Sequence, residues 1–478
     1  MIVVAVSEDN YIYDIHSLVK AFYPSEDVKV FAGDDKEIEE TNHKYEIVLG
    51  DDYIEITSED ISHRVDSLDY SDRPVYKNEL KRSLYFVLSR VTGKTLPWGT
   101  LTGIRPTKIA KGMIDECKSD EEVLNYMKNT YLCTDEKSKL AINIAKYENK
   151  ILAPIDYENG YSLYIGIPFC PSTCLYCSFT SYPIFSYKKV VGEYLEAVKK
   201  EIDYVASSFA DKTLDSVYIG GGTPTTLEAD ELRELIGYVK EKLDCSKIKE
   251  FTVEAGRADS ITREKLETLL ECGVTRISVN PQTMNEDTLK LIGRKATAAE
   301  TVRVYKLARE VGFDNINMDL IVGLPGEDIE VVRDTLAKVK ELSPDSLTVH
   351  SLAIKRASRL AQVIDELGYE TISNSDDIMA LTSEVATSMD MKPYYLYRQK
   401  NMSGNFENVG YAKESKAGIY NILIMEEVQT IVALGAGTVT KRVYGDGRIE
   451  RCDNVKDVKL YIEKIDEMID RKRKLFLD

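Results

Sequence analysis

Apolar and polar positions in about the first 110 residues predict a small α/β module. Apolar residues recur every three or four positions in the helical stretches, and short apolar runs mark the strands. The predicted elements are a strand at 1–7, a helix at 12–22, a strand at 28–33, a hairpin at 45–57 and a helix at 78–92. A connector rich in glycine and proline and a helical linker at 135–149 follow, and Ala153-Pro154 ends the linker.

The hydrophobic pattern changes near residue 160, where six apolar strands alternate with amphipathic helices. Strands are predicted at 162–168, 216–219, 250–254, 276–280, 316–322 and 346–350, and helices at 193–209, 228–243, 262–272, 298–311 and 331–342. Strand–helix units in succession imply a parallel sheet joined by right-handed crossovers. We therefore expect a partial (β/α)6 barrel, whose chemistry lies at the carboxyl ends of the strands.

The hydrophobic pattern changes again in the last segment, and it predicts a small C-terminal cap. Two strand-like runs, at 394–397 and 430–434, precede a charged amphipathic helix at 458–476. The whole pattern therefore predicts an α/β fold in three parts. These are an N-terminal α/β module with its helical linker at 1–155, a barrel core at 156–385 and the cap domain at 386–478.

The composition is typical of a globular cytoplasmic protein. Hydrophobic residues make up 43% of the 478, and no apolar run reaches the roughly 18 residues that a membrane-spanning helix needs. The apolar N-terminus lacks a basic leader and is interrupted by Glu8 and Asp9, so we interpret it as a strand and not a signal peptide. A net charge of −18 disfavours binding to nucleic acid or to an anionic membrane. We expect a monomer.

Three of the eight cysteines fall within eight residues, and this grouping predicts a metal site. Cys170, Cys174 and Cys177 lie at a strand-to-loop transition, where three thiolates can ligate three irons of a [4Fe–4S] cluster and leave the fourth iron open. A structural zinc site would need a fourth cysteine or histidine nearby. The histidines, at 16, 43, 63 and 350, are distant in sequence. We interpret the other cysteines as small apolar residues.

Two carboxylates occupy positions in apolar strands where an unpaired charge would be costly. Glu254 ends one strand, and Asp319 lies inside another. Because a buried charge needs a partner, both residues are candidates for a binding site. Simpler interpretations exist: a salt bridge at the barrel rim for Glu254, a tight turn for the glycine triplet 220–222 and a solvated helix residue for Arg294.

These motifs together resemble the radical S-adenosylmethionine (SAM) superfamily, and within it the oxygen-independent coproporphyrinogen III oxidase group. The cysteine segment at 164–177 is followed in order by GGGTPT at 220–225, VE at 253–254, SVNPQ at 278–282, GR at 293–294 and DLIVGLP at 319–325. These matches cover about 161–354. LPWG at 96–99, LTGIRPT at 101–107 and TVEAGR at 252–257 resemble the coproporphyrinogen dehydrogenase branch and extend the resemblance over most of the chain.

The resemblance implies a [4Fe–4S] cluster on the three cysteines, SAM bound at its open iron and a site for a second SAM molecule. The Gly-Gly-Thr segment would bind the SAM amino group and methionine moiety, Arg294 its carboxylate or ribose, and Asp319 the second SAM. Tyr164 and Ala353 could equally be barrel packing. The positions that correspond to the family's SAM contacts are Tyr164, Tyr176, Gly221, Gly222, Thr223, Glu254, Gln282, Arg294, Asp319 and Ala353.

The resemblance also implies a reaction. One electron from the reduced cluster cleaves SAM, and the resulting 5′-deoxyadenosyl radical takes hydrogen from a propionate of coproporphyrinogen III. That propionate loses CO2 and becomes a vinyl group, and the product is protoporphyrinogen IX. An electron donor such as flavodoxin or ferredoxin is required. A tetrapyrrole with four carboxylates would need cationic side chains to bind it. Candidates are Lys355, Arg356, Arg359 and Arg105, and the alternative is that these are ordinary solvated surface residues.

One departure from the family pattern leaves the reaction open. Oxidases of this group carry a fourth cysteine two residues beyond the third, where this chain has Phe179. Cys-x-Phe is the pattern of related heme chaperones, which usually have a histidine where this chain has Gly166. Three hypotheses follow: an oxidative decarboxylase of coproporphyrinogen III, a heme-binding chaperone or trafficking protein with a retained cluster, and a radical SAM enzyme that acts on another tetrapyrrole.

Overall fold

The structure is a computed structural model that describes residues 1–32, 43–103, 105–355, 357–368, 371–372, 374–399 and 402–477. The strands of the front half and the barrel are β1 (Ile2–Val6), β2 (Val28–Ala32), β3 (His43–Leu49), β4 (Tyr53–Thr57), β5 (Ser62–Asp66), β6 (Gly160–Ile167), β7 (Phe169–Cys170), β8 (Tyr182–Pro183), β9 (Thr213–Gly221), β10 (Glu250–Glu254), β11 (Arg276–Ser278), β12 (Ile316–Val322) and β13 (Ser346–Ser351). The later strands are β14 (Lys392–Tyr397), β15 (Asn408–Ala412), β16 (Thr430–Leu434), β17 (Val439–Val443) and β18 (Ile449–Asp453).

Helices precede, separate and follow these strands. The helices up to the barrel's third strand are α1 (Ile12–Phe22), α2 (Arg73–Thr92), α3 (Pro106–Asp115), α4 (Asp120–Tyr131), α5 (Asp135–Leu152), α6 (Ile184–Tyr187), α7 (Val191–Ser208) and α8 (Ala229–Lys242). The remaining helices are α9 (Arg263–Glu271), α10 (Glu286–Leu291), α11 (Ala298–Val311), α12 (Ile329–Leu342), α13 (Leu360–Leu367), α14 (Asp376–Ser388), α15 (Ile419–Glu426), α16 (Val458–Glu463) and α17 (Ile465–Phe476). Among the described residues, the helices are too short or too polar to cross a membrane.

The N-terminal module is a five-stranded sheet in the order β2-β1-β3-β4-β5, with α1 and α2 packed against it. β1 runs parallel to β2 and β3, whereas β4 is antiparallel to both β3 and β5. The predicted hairpin is therefore present as β3 and β4, and β5 is an addition that the sequence pattern did not indicate. Gly33, the last residue of the strand predicted at 28–33, lies outside the described residues.

Six parallel strands, β6 and β9 to β13, form the predicted barrel core. Their order in the sheet is β13-β12-β11-β10-β9-β6, and each neighbouring pair is parallel. The strands are almost wholly buried because crossover helices cover the sheet, which explains why they are continuous apolar runs. The family comparison reported below confirms the α/β barrel class.

The C-terminal segment extends the barrel sheet at both of its edges. β15 pairs antiparallel with β13 and also with β14, so these two strands continue the sheet on one side. On the other side β16 runs parallel to β6, and β17 and β18 follow it. An unpaired barrel edge would expose a row of backbone donors and acceptors, and this pairing satisfies them. The division of the chain at residues 155 and 385 stays a prediction.

Two buried polar networks fix distant segments to the barrel. In the first, Lys472 of α17 donates to Glu201 of α7 at 2.6 Å, and both side chains are fully buried. In the second, Glu407 accepts from Trp98 Nε1 at 2.7 Å and from Lys137 Nζ at 2.9 Å. Since an ion pair without water is costly unless both charges are satisfied, each network specifies one docking geometry.

Candidate functional site

A cavity of about 540 Å³ opens among the carboxyl ends of the six parallel strands. Every residue that the sequence predicts for the cluster and for SAM contributes to its wall. These residues are Tyr164, Cys170, Cys174, Tyr176, Cys177, Gly221, Gly222, Thr223, Glu254, Gln282, Arg294, Asp319 and Ala353. The structure thus brings together positions separated by up to 189 residues of sequence, from 164 to 353. Their roles as ligands stay predictions.

The cysteine loop leaves the barrel after β7 and is held from three directions. Thr223 Oγ1 lies 3.4 Å from Cys170 Sγ, and Arg257 Nη1 lies 3.4 Å from Cys174 Sγ. The backbone of Leu175 donates to the carbonyl of Ile292 at 2.9 Å, which ties the loop to the end of α10. These contacts hold the loop that brings the three thiols to one cavity.

The chemistry of the three thiols fits a cubane cluster better than a single ion. Within the described ranges, no set of three His, Cys, Asp or Glu side chains is close enough to hold one metal ion. A cluster places each thiolate on a separate iron. Burial raises the pKa of Cys170 to about 11 and also raises the pKa of Cys177, so a free thiolate is unfavourable here, and a cationic metal centre would stabilise it.

The glycine segment after β9 is packed tightly against the strand that leads to the cysteines. Gly221 has φ +106°, a conformation that side chains rarely adopt, and a Cβ at Gly222 would lie 2.6 Å from the carbonyl oxygen of Phe169. The N–H groups of Gly222 and Thr223 donate to the carbonyls of Ile167 and Phe169. The segment can therefore offer a ligand carbonyl oxygens, which are the acceptors that an ammonium group needs.

Glu254 ends β10 inside the cavity with one phenol as its main partner. Tyr218 donates to Glu254 Oε1 at 2.6 Å, and the Tyr218 ring packs against the rings of Tyr164 and Tyr420, which also contact each other. Burial raises the pKa of Glu254 to about 7, although the Tyr218 hydroxyl acts in the opposite direction. The carboxyl group can therefore change its charge near neutral pH when a cationic ligand arrives.

Arg294 and Gln282 both reach the cavity wall from the part of the chain that follows β11. Arg294 donates from Nη1 to the carbonyl of Asn280 at 2.5 Å, and its Nη2 lies 3.3 Å from the Tyr176 hydroxyl. Gln282 adopts φ +67°, which is uncommon for a residue with a side chain and costs on the order of 1 kcal/mol or more. Backbone hydrogen bonds to Asp319 and Ile321 hold Gln282 in this conformation, which keeps its side-chain amide at the cavity wall.

Asp319 is part of a polar chain that runs across β12, β13 and β14. Asn317 Nδ2 donates to Asp319 Oδ1 at 2.7 Å, His350 Nε2 lies 3.9 Å from Asp319 Oδ2, and the Tyr397 hydroxyl lies 3.2 Å from His350 Nδ1. Burial acts to raise the pKa of Asp319, but His350 and Asn317 outweigh it and hold that pKa below its ordinary value. The Asp319 side chain is therefore a charged carboxylate, and it lies at one end of this polar network.

Unpartnered polar atoms line the cavity and show that it is built for a ligand. Buried polar atoms without a protein partner are rare in folded proteins. Six such atoms lie on this wall among the residues that the structure describes: Arg276 Nε, Ser278 Oγ, Asn280 Oδ1, Gln282 Oε1, Arg294 Nε and Gln399 Oε1. They include donors and acceptors, as a ligand with both carboxylate and hydroxyl or amino groups requires.

Comparison with known proteins decides the family. The pattern described as "Radical SAM superfamily" matches residues 164–339. The "Oxygen-independent coproporphyrinogen-III oxidase-like protein HemZ" of Bacillus subtilis (strain 168) is 41% identical over 423 residues, which are 85% of this chain and 83% of that protein. The chain belongs to the radical SAM superfamily, in the group of oxygen-independent coproporphyrinogen-III oxidase-like proteins. The family resemblance noted in the sequence is confirmed.

Two further relatives of this radical SAM protein bear different names. The "Heme chaperone HemW" of Bacillus subtilis (strain 168) is 36% identical over 195 residues, and the matched part is 41% of this chain and 51% of that protein. The chain therefore aligns with only about half the length of that chaperone. The solved structure of coproporphyrinogen III oxidase (HemN) from Escherichia coli superposes with a TM-score of 0.52 at 23% identity, covering 65% of this chain and 70% of that one. That likeness establishes the shared fold.

Membership of the superfamily makes a [4Fe–4S] cluster and SAM the cofactors of this radical SAM protein. The fit rests on the three converging thiols and on the unpartnered polar wall described above. In this cavity Cys170, Cys174 and Cys177 would hold the cluster. The carbonyls of Gly221 and Gly222 would face the ligand's ammonium group.

Several residues of the radical SAM cavity were not predicted as site residues. Arg257 contacts the cysteine loop, Arg276 and His350 reach the wall from β11 and β13, and Tyr218 supports Glu254. A signal for Arg257 was present, because it ends the TVEAGR motif next to Glu254. His350 seemed distant from the cysteines because only the strand order brings β13 to the same cavity.

The four predicted substrate cations have different positions. Lys355 lines the cavity, and burial lowers its pKa. Arg359 is exposed at the start of α13 outside the cavity wall. Arg105 pairs with Glu427 and is also outside the wall, because the connector that carries it packs against the C-terminal segment. Arg356 lies outside the described residues.

Proposed function

We propose that this protein is an oxidative decarboxylase of coproporphyrinogen III, which converts propionates to vinyl groups and yields protoporphyrinogen IX in anaerobic heme biosynthesis. The observation that carries the proposal is the single cavity in which all thirteen predicted cluster and SAM residues meet. Its support in sequence is a similarity to the oxidase-like HemZ that extends over 85% of the chain. The choice of coproporphyrinogen III as the substrate is part of this proposal.

The cluster and SAM, when bound, supply one-electron chemistry that removes a hydrogen atom from a substrate C–H bond. The protein's own residues bind and orient the reactants and exclude water. Arg294 would form charge-assisted hydrogen bonds to the SAM carboxylate from its unpartnered Nε. Glu254, held by Tyr218, would neutralise the cationic end of SAM.

Substrate would enter on the side of β12 and β13. Lys355 is half-buried on the cavity wall, so its ammonium can bind a propionate where water competes weakly. The polar chain of Asp319, His350 and Tyr397 lies on the same side of the cavity. An electron carrier such as flavodoxin or ferredoxin would reduce the cluster.

The direct test is anaerobic incubation of the reconstituted protein with SAM, a reductant and coproporphyrinogen III. Mass analysis should detect loss of two CO2 per tetrapyrrole, together with 5′-deoxyadenosine. The variant Cys174→Ser is the matched control and should form neither product. Formation of 5′-deoxyadenosine without decarboxylated tetrapyrrole would contradict the proposal and favour another tetrapyrrole as substrate.

A second candidate function is heme binding and transfer. It is favoured by Phe179, whose side chain is 76% exposed at the cavity mouth where oxidases of the group have a fourth cysteine. A large exposed aromatic ring can stack on a planar macrocycle. Titration with heme in the absence of SAM tests this function. Stoichiometric heme binding that Phe179→Ser weakens, with no decarboxylation by the wild-type protein, would replace the first proposal by the second.

A further inference from the structure

A second cavity of about 480 Å³ lies between the N-terminal module and the barrel. One wall is formed by α1 and the turn after it, including Ser17, Lys20 and Ser25. The opposite wall comes from the segment after β13 and from the loop between β14 and β15. The N-terminal module is thus positioned over the carboxyl ends of the barrel strands, on the side where substrate would enter.

The two cavities share wall residues. Leu352 and Gln399 line both the cofactor cavity and the second cavity, so the two cavities adjoin at these residues, which follow β13 and β14. Pockets that hold one drug-sized ligand measure roughly 300–1,000 Å³. The cofactor cavity, at about 540 Å³, therefore suits one such ligand, and the adjoining 480 Å³ can take the body of another.

The wall of the second cavity also contains buried polar atoms that lack partners. Gln399 Oε1 and Asn405 Nδ2 are inaccessible to water and form no hydrogen bond to any described residue. One is an acceptor and the other a donor, and both belong to the loop that separates the cavities. Apolar side chains surround them, namely Leu352, Ile354, Ala361, Ile372 and Met402. An amphiphilic ligand with N–H donors, carboxylate acceptors and an apolar ring would satisfy this wall.

Lys20 supplies a positive charge on the α1 side. Its Nζ donates to the carbonyl of Glu26 at 2.6 Å, and an ammonium has three donors, so this bond leaves donors that a ligand can use. Burial lowers the pKa of Lys20, although the nearby Asp27 and Glu26 act in the opposite direction. Across the junction, Lys355 lines the cofactor cavity. Lys20 and Lys355 thus place one cation in the wall of each cavity.

We propose that the second cavity is a substrate site in which α1 of the N-terminal module binds the tetrapyrrole. Lys20 binds one peripheral carboxylate, and when the Gln399 and Asn405 side chains rotate toward the ligand, Gln399 accepts from a pyrrole N–H and Asn405 donates to a second carboxylate. The reacting propionate then extends past Leu352 to the cofactor cavity. The identity of the ligand rests on the proposed function, whereas the position of the site rests on the cavity and its unpartnered atoms.

The test uses the full-length, cluster-reconstituted protein and coproporphyrin III, a stable oxidised form of the proposed substrate. Porphyrin absorbance gives its affinity, and calorimetry gives the affinity for SAM separately. Ser17→Trp fills the second cavity, and Ser17→Ala is its matched control. Lys20→Gln removes the charge without filling space, and Lys29→Gln removes a charge from an exposed position on β2. Thermal unfolding checks that each variant is folded.

We expect Ser17→Trp and Lys20→Gln each to weaken coproporphyrin III binding by about tenfold or more, with SAM affinity unchanged. Both controls should bind as the wild type does. Unchanged porphyrin affinity in both variants would overturn the proposed site, even if the wild type decarboxylates its substrate. Conversely, selective loss of porphyrin binding in a protein that releases no CO2 would retain the site and contradict the decarboxylase. A wild type that binds no coproporphyrin overturns both.

Discussion

Arg257 Nη1 lies 3.4 Å from Cys174 Sγ, so the loop after β10 reaches back to the loop that would hold the cluster. The same guanidinium donates to the carbonyl and the hydroxyl of Ser172, at 3.2 and 3.1 Å, and is itself held by Asp259. Its side chain is almost fully buried. Arg257 thus places a positive charge beside the Cys174 sulfur. It also holds the backbone of the cysteine loop through its hydrogen bonds to Ser172.

The first prediction is that Arg257→Leu weakens cluster retention. Residues that support metal ligands cost about 10–100-fold in metal affinity when removed, and Arg257 supports both Cys174 and the backbone of Ser172. Loss of the positive charge should also lower the reduction potential of any cluster that remains, because the reduced, more negative form loses its stabiliser. Iron content after chelator challenge and a potentiometric titration measure the two effects.

Arg257→Lys separates charge from geometry. A lysine keeps the charge but cannot form the forked bonds to Ser172. It should restore most of the potential and little of the iron retention. Equal iron retention in wild type, Arg257→Leu and Arg257→Lys would show that Arg257 has no supporting role.

The second prediction concerns the pH dependence of SAM binding. Burial raises the pKa of Glu254 to about 7, and the neutral form cannot attract a cation. SAM affinity should therefore rise as pH increases through about 7. Tyr218→Phe removes the hydrogen bond that favours the carboxylate, so the midpoint should move to higher pH. Calorimetric titration across this pH range measures both midpoints. The same midpoint in the two proteins would exclude Glu254 as the titrating group.

The third prediction concerns close packing at Gly222. A Cβ there would lie 2.6 Å from the carbonyl oxygen of Phe169 and 2.9 Å from that of Ile167, and backbone cannot yield as a flexible side chain does. Gly222→Ala should displace the start of the cysteine loop and reduce both iron content and SAM affinity by about tenfold or more, as misplaced ligand-supporting groups do.

Gly237→Ala is the matched control for Gly222→Ala. Gly237 lies in α8 with open space around its Cβ position, and it is exposed. An alanine there should leave the cofactors unaffected and stabilise the helix by up to about 1 kcal/mol, since glycine is a poor helix former. If the two variants lose iron equally, the close approach at Gly222 is not what holds the loop.

The fourth prediction concerns a buried carboxyl pair outside the cavity. Glu148 of α5 and Glu426 of α15 are both buried without hydrogen-bond partners in the described part of the chain. Burial, with a further contribution from Glu426, raises the pKa of Glu148 to about 9. The folded state therefore keeps a proton that the unfolded state releases above its ordinary pKa of 4.5. Stability should fall as pH rises from about 4.5 to 9, by at most about 1.4 kcal/mol per unit.

Glu148→Gln tests this linkage. The amide stays neutral at every pH, so the variant should be more stable than the wild type at about pH 8 and should lose part of the pH dependence. Denaturant titrations at several pH values measure the free energy of unfolding. A wild-type curve that is flat between these pH values, or a variant with the same slope, would contradict the linkage.

The fold of the barrel follows closely from the hydrophobic pattern. The six strands were predictable because both faces of a parallel strand are buried, which makes each one a short apolar run between amphipathic helices. Most of the thirteen predicted site residues lie at strand ends or in the segments that follow them, as Glu254 does at the end of β10, whereas Tyr164 and Asp319 lie within β6 and β12. For parallel strands, chain order was enough to predict that these positions share one edge.

The pairings at the sheet edges were not predictable in this way. The run at 430–434 was recognised as strand-like, but nothing local in Thr430–Leu434 indicates that it pairs with β6 and not with another C-terminal strand. Arg257 and His350 were missed for a related reason. The role of Arg257 depends on the contact between the loop after β10 and the cysteine loop. The role of His350 depends on its position opposite Asp319, and a local sequence pattern indicates neither contact.

The pairing of β16 with β6 has a consequence for biosynthesis. β6 leads directly into the cysteine segment, yet the strand that covers its free edge is made near the end of the chain, with Tyr161 opposite Thr430. During translation this edge stays open until residue 434 has left the ribosome, and contacts of such long sequence separation form slowly. A barrel with this edge paired is therefore complete only after residue 434 has been made, and a nascent chain that ends earlier would present the three cysteines on a sheet with an open edge.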